Sequence, residues 1–214
     1  MPNKPLKIAF TLDGTGLYYD PREPLHLDAL LAWSLAPYHC GGGEAPSRDE
    51  EPIDIPLPLE SWHIGGAWGW KASALFPDGD QAESLQFWRK KFRQSRAELS
   101  SGTPNLQNGT YREWNMPLPL LLVPRMIAWA VGDRKRVDQI LRRHVKYLGK
   151  KRAYGKGRVT GICVEWCEED HALSLAGRAT RWLPAPNGTR LVRPRPPYWN
   201  NLDRVKCCEI GDAL

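Results

Sequence analysis

The chain has 214 residues, 42% of them hydrophobic and ten of them Trp, enough for one domain with a substantial core and too rich in large apolar side chains for a disordered chain. No apolar run is long enough to span a bilayer, and the opening MPNKPLKIAF leads into a strand pattern rather than a secretory leader, so the expected setting is the cytoplasm, with no membrane partner. The net charge of +6 is unevenly spread: residues 133–158 hold eleven Lys/Arg against two Asp, a local +9, while the first sixty residues sum to −6. Such a concentration points to a polyanion met at one place rather than over the whole surface.

In chain order, residues 6–12 (LKIAFTL) alternate apolar and polar side chains, end in Asp-Gly, and predict a first strand. Residues 25–33 (LHLDALLAW) have helical spacing, with Pro37 expected to end the helix. Residues 39–51 hold three glycines, a proline and a charge run, and read as a loop. Residues 53–59 alternate again but carry Pro56 and Pro58 after Pro52, which fits an edge strand or an extended segment. Residues 62–75 and 85–92 read as two arms of a strand-rich excursion about the turn Pro77-Asp78-Gly79-Asp80. The first arm has Trp62, Trp68 and Trp70; the second has Arg89, Lys90 and Lys91, with Arg93 and Arg96 just beyond. Residues 100–110 read as a polar loop.

Residues 126–131 (MIAWAV) suit a central strand. Gly132-Asp133 then caps a helix whose stripe is Val137, Ile140, Leu141, Val145 and Leu148, with Arg134, Lys135, Arg142, Arg143 and Lys146 largely off it and Gly149 as its C-cap. A glycine-rich basic loop follows, and Val159–Trp166 reads as a strand. The tail alternates basic and aromatic residues: Arg178, Arg181, Trp182, Arg193, Arg195, Tyr198 and Trp199. The order strand, helix, strand, insertion, strand, helix, strand predicts an α+β fold with a split βαβ, ferredoxin-like βαββαβ core.

The run LGKKRAYGKGRV between the second helix and the last strand, together with the opening LKIAFTL and PLHLDALLAW, resembles the RAMP proteins of CRISPR effector complexes. The chain is most similar to the small RAMP subunit of type IV systems that binds the five-prime handle of the guide. The resemblance covers residues 6–36 and 120–168. It implies a single RAMP (RRM-like) domain over residues 1–214, with a thumb-like hairpin inserted at about 60–112 and a basic C-terminal extension at about 172–214. It also implies a non-catalytic role: gripping the handle of the guide RNA (crRNA) and capping the backbone RAMP subunits, beside a large or zinc-bearing subunit and possible target DNA, with assistance in reading a target-adjacent motif. No cofactor is expected.

The chemistry of the residues agrees with a grip on RNA. Glycines let backbone N–H groups approach phosphates and permit positive φ. In the loop these are Gly149, Gly155, Gly157 and Gly161; Lys150, Lys151, Arg152, Lys156 and Arg158 supply charge, and Tyr154 offers a ring for a splayed base. Arg134, Lys135, Arg142 and Arg143 on the helix, and Arg89, Lys90 and Lys91 interleaved with Phe87, Trp88 and Phe92, are further RNA-binding candidates. The bland counterparts are a solvated basic face and an amphipathic helix. The three Trp of the first arm read as core or interface anchors.

A rival is a metal-independent endoribonuclease that processes guide precursor with His26, which opens the first helix; Tyr18, Tyr19 and Lys7 stand nearby as assistants. His144 reads as a contact or surface residue. Cys163, Cys167 and His171, with Cys207 and Cys208 downstream, have zinc-ligand chemistry but not the usual two-residue knuckle, and Cys163 is expected in a buried strand. Five cysteines without a leader default to free thiols.

Overall fold

The computed structural model describes residues 3–39, 48–92, 105–107, 111–150 and 152–214. In chain order the elements are β1 (Lys4–Leu12), β2 (Leu17–Tyr18), α1 (Leu27–His39), β3 (Ser61–Ile64), β4 (Ala67–Trp70), β5 (Phe76–Asp78), β6 (Ala82–Lys90), β7 (Trp114–Leu122), β8 (Arg125–Gly132), α2 (Arg134–His144), β9 (Val159–Trp166), β10 (Ser174–Leu175), β11 (Arg178–Ala179), β12 (Arg190–Val192) and β13 (Val205–Cys207). The result is a mixed α/β structure whose described strand pairs are antiparallel.

The central sheet runs β5-β8-β1-β9. Period-two alternation along β1 turns Leu6, Ile8, Phe10 and Leu12 to one face, where they are buried. Met126, Ala128 and Ala130 of β8 and Ile162 and Val164 of β9 join them, and the face is covered by Leu27 and Leu31 of α1 and Val137 and Leu141 of α2. Asp133 caps α2 as expected, its carboxylate accepting from the Arg136 backbone N–H at 3.1 Å.

Several expectations needed correction. Pro37 does not end α1, which runs on to His39. A proline this close to the end forfeits only one backbone bond in the last turn. α2 stops earlier than its apolar stripe suggested, at His144, with Val145 as its C-cap. Val145 and Leu148 are nonetheless buried, because the extended chain after the helix tucks beneath the glycine loop, with the Leu148 N–H donating to the Gly157 carbonyl at 2.8 Å. Gly149 is therefore a turn into that loop and not a helix cap.

The excursion is also rearranged. Before it, residues 53–59 take the second of the two forms expected, an extended segment outside any named strand that buries Leu57 and Leu59 and bridges from Leu59 to Gly132. The second strand of the central sheet is β5, where a turn was expected. The Trp-rich arm closes on itself as the β3–β4 hairpin. The basic arm, β6, pairs along its whole length with β7, from Ala82↔Leu122 to Lys90↔Trp114. Pro117 and Pro119 hide β7 from a sequence reading. The Pro119 carbonyl accepts from the Tyr19 N–H on the side away from β6, so the missing proline N–H takes nothing from the β6 ladder.

Part of the basic charge of the tail is drawn into the interior. Arg181 and Arg193 are fully buried and Arg195 nearly so. Arg181 pairs with Asp28 at 3.2 Å and donates to Ala72 O, Pro194 O, Tyr198 Oη and the Trp70 carbonyl. Arg193 and Arg195 hold Asp54 and Asp203. Around this network a second small core gathers Trp62, Ala179, Leu183 and Cys208. No helix among the described residues is long and apolar enough to cross a membrane.

Candidate nucleic-acid interface

The loop from Gly149 to Arg158 is built against the turn that follows β1. The Gly157 N–H donates to the Gly16 carbonyl at 2.7 Å, the Lys150 N–H to the Tyr18 carbonyl at 3.4 Å, and the Asp13 N–H to the Arg158 carbonyl at 3.1 Å. Gly149 and Gly157 are obligatory. Both have positive φ, and a Cβ on either would meet backbone, Tyr18 O at 2.7 Å and Leu148 O at 2.1 Å. Gly155 also has positive φ, but a Cβ there would meet nothing within 4 Å. It lies at the open tip, where a ligand backbone has room.

Charge at this loop is partly engaged. The Lys150 ammonium pairs with Glu23 at 2.7 Å, both side chains largely exposed, and the Lys156 ammonium donates to the Thr15 carbonyl at 2.8 Å. Exposed pairs of this kind are worth about 0–1 kcal/mol and exchange readily for a phosphate. The Arg152 guanidinium lies 4.5 Å over the ring of Trp33, which is half exposed on α1. Lys151 falls outside the described residues, as do Arg93 and Arg96.

The structure brings two separate parts of the sequence together here. Tyr154, 64% exposed, meets Trp88 of β6 edge-on at 5.6 Å, and Trp88 meets Trp114 of β7 at 4.9 Å. The three rings form a continuous aromatic cluster from the loop onto the ribbon. Arg89 donates to Asn115 at 3.0 Å and lies 5.5 Å from the Phe87 ring; Arg89, Lys90 and Lys91 line an open cleft that Glu113, Trp114 and Asn115 complete. The contribution of Trp114 and Trp33 was missed by sequence reasoning. Neither sits near a basic run; only the β6–β7 register and the fall of Arg152 across α1 reveal them.

The helix candidates divide. Arg142 is bound to Asp138 at 2.8 Å and donates to Ile162 O at 2.6 Å; Arg134 donates to Val164 O at 3.1 Å and lies 5.8 Å from the Trp166 ring. Both arginines thus cover the free carbonyls on the outer edge of β9. Arg143 and Arg136 face the other way, toward α1, and Lys135 is exposed.

His26 is 2% exposed, stacked on Tyr198 at 4.5 Å and against Trp182 at 4.6 Å, and neither ring nitrogen has a partner. Burial, reinforced by Arg181 and Arg190, lowers its pKa well below 6.5, so it is neutral. A base for a 2′-hydroxyl must come within hydrogen-bond reach of it, and this imidazole is closed off by two aromatic rings. His144 packs edge-on to Tyr38 at 5.8 Å. Cys163 is exposed rather than buried: it lies on the outward face of β9 and donates to Glu165, which raises its pKa. A raised thiol pKa disfavours the thiolate that zinc requires. His171 lies instead near Glu169 and Trp129, and no group of three or more His, Cys, Asp or Glu among the described residues is disposed to hold a metal. Burial pushes the Cys207 thiol up to about 12.

The fold and this surface define a class: a small mixed α/β protein in which a basic glycine-rich loop and a basic antiparallel ribbon meet at a cluster of aromatic rings. Residues 4–210 match the family model of Csf3, the CRISPR type IV associated protein, and the chain belongs to that family. It is thus a type IV CRISPR-associated subunit, with other subunits of such complexes as its partners. No curated protein matches the chain.

Proposed function

We propose that this chain is a non-catalytic guide-RNA-binding subunit that grips the five-prime handle of the crRNA and caps the backbone subunits of a type IV complex. The observation that carries the reading is the junction of Tyr154 with Trp88 and Trp114, flanked by Lys150, Arg152, Lys156 and the basic end of β6. Single-stranded RNA is held by phosphate neutralisation together with stacking of splayed bases, and this junction offers both. The strand order supports the same reading and, within it, a ferredoxin-like, RAMP-type core: β1, α1, β5 and then β8, α2, β9 assemble in the order β5-β8-β1-β9, with β8 inserted between the two strands that α1 connects. In that reading the β6–β7 ribbon is the thumb.

Binding of repeat-derived RNA measured across salt tests the grip. Changing Lys150, Lys151 and Arg152 together to Ala should flatten the log–log slope by about two units or more, since each phosphate neutralised on a single strand adds about 0.7. An unchanged slope removes the loop from the contact. Scrambled RNA should compete poorly at physiological salt; equal competition would reduce the chain to a general nucleic-acid binder. Incubation with repeat RNA in the absence of metal should give no cleavage, and cleavage that disappears in His26→Ala would replace the binding role with an endoribonuclease.

A further inference from the structure

Between α1, α2 and the extended segment at residues 56–58 lies a concavity of about 520 Å³. Its floor is aliphatic: Leu35 of α1, Leu57 from the extended segment, and Ile140 of α2, with Pro56 and Pro58 forming one wall. Its rim is cationic or neutral: Arg136, Gln139 and Arg143 follow one another along a single flank of α2, and His39 and His144 complete it. Among the described residues no carboxylate lines it. Arg136 and Arg143 are exposed, and among the described residues neither guanidinium has a carboxylate partner, in contrast to Arg142 on the opposite flank. A volume of this size takes a large side chain and its neighbours.

We propose that this groove docks an acidic, amphipathic peptide segment of another protein subunit. An apolar side chain of that segment fills the floor, and carboxylates on either side of it pair with Arg136 and Arg143. The chemistry favours a peptide over RNA. Nucleobases are recognised by flat aromatic faces and hydrogen-bonding edges; this floor is aliphatic and proline-walled, and the Tyr38 ring beside it is turned edge-on to His144. Two fork-shaped donors at the rim of an apolar trough suit carboxylates projecting from a segment that lies in it. Membership of a CRISPR type IV associated family supplies the setting, since its members have other subunits to meet. The inference does not depend on the RNA grip.

The test uses the full chain assembled with the other subunits of its complex and guide RNA. A photoreactive benzoylphenylalanine replacing the exposed Gln139 should, on irradiation, cross-link to a peptide of another subunit in which an apolar residue is flanked by Asp or Glu. Arg136→Glu should weaken incorporation of the chain into the complex about tenfold or more, Arg136→Lys should largely restore it, and neither should change the affinity of the isolated chain for guide RNA. Cross-linking to RNA, cross-linking to a second copy of this chain, no cross-link within an assembled complex, or normal incorporation of Arg136→Glu would each overturn the proposal. Loss of RNA affinity in the Lys150, Lys151 and Arg152 variant with normal cross-linking would leave it standing, so the two readings fail separately.

Discussion

Gly155 and Gly157 are two residues apart, share a positive φ, and have different roles. Gly157 is fixed by what a side chain would hit, the Leu148 carbonyl, whose own residue is tied to Gly157 by a backbone bond. Gly157→Ala should cost about 2 kcal/mol or more, read as a lower urea midpoint, because left-handed strain and a backbone clash add. Gly155→Ala should cost only the strain, about 1–2 kcal/mol. Equal losses for the two would mean that the Leu148 contact is not rigid. His26 gives a second prediction at this scale. Its folded pKa lies below its unfolded value, so the unfolded chain binds the extra proton in between. The corresponding stability is present above about pH 6.5 and is lost as pH falls, at up to about 1.4 kcal/mol per unit until the folded pKa is reached. Unfolding at pH 7.5 and 5.5 should show the loss in the natural chain and a smaller one in His26→Gln. Asp28 works in the opposite sense: burial raises its carboxyl pKa, with Arg181 offsetting part of the rise, so any gain from it appears only toward more acidic pH.

At the scale of elements, α2 is one amphipathic helix with two different cationic flanks. Arg134 and Arg142 cover the carbonyls on the outer edge of β9, which would otherwise present an open row of acceptors at the end of the sheet. Arg142→Ala removes bonds to Asp138 and Ile162, with an expected cost of about 1–2 kcal/mol and increased self-association at high concentration. Arg143→Ala, one residue on and exposed, should stay within about 0.5 kcal/mol. Thermal melts and light scattering on the pair separate the two; similar losses would show that the helix, not the edge, is what Arg142 supports. The ribbon shows the same separation of face from sequence. β6 and β7 carry Trp88 and Trp114 on one face, toward Tyr154, and Leu85, Phe87, Pro117 and Pro119 on the other. Trp88→Ala and Tyr154→Ala should each weaken guide binding by about 1–3 kcal/mol with little change in salt slope, since stacking releases no counterions. A change in slope would mean that the rings act by positioning the cations.

At the scale of the molecule, the tail and the first helix are held together by a buried ion pair. Arg181 and Asp28 have no exposed side-chain surface, and Tyr198 donates to the same carboxylate at 2.8 Å. Removing one partner leaves the other charged and buried, so Asp28→Asn should cost about 3–5 kcal/mol and release residues 172–214 to limited proteolysis. Survival of the tail would show that the second core around Trp62 suffices. This network also explains where the basic charge of the tail went. Arg181, Arg193 and Arg195 read as available cations in sequence, and two carboxylates far away in the chain, Asp28 and Asp54, neutralise them together with the nearby Asp203.

Local pattern made much of this protein legible in advance. Alternation in β1, the apolar run of β8, the bounds of β9 and the Asp133 cap follow from the period and chemistry of neighbouring residues, and so does the concentration of charge in the glycine loop. The resemblance drawn from residues 6–36 and 120–168 pointed to a type IV CRISPR subunit, and that association is what the family model shows. What pattern could not supply were pairings between distant segments: β7 as the partner of β6, β5 in the central sheet, and Trp33 and Trp114 beside the loop. Side-chain burial was equally out of reach for His26 and the tail arginines, whose surroundings come from elements 100 or more residues away. The sequence by itself determined the period of each element and the amount of charge near it. Only the tertiary structure decided which cations are neutralised in the interior and which remain free to meet a polyanion, because that depends on which carboxylate folds back to within about 4 Å.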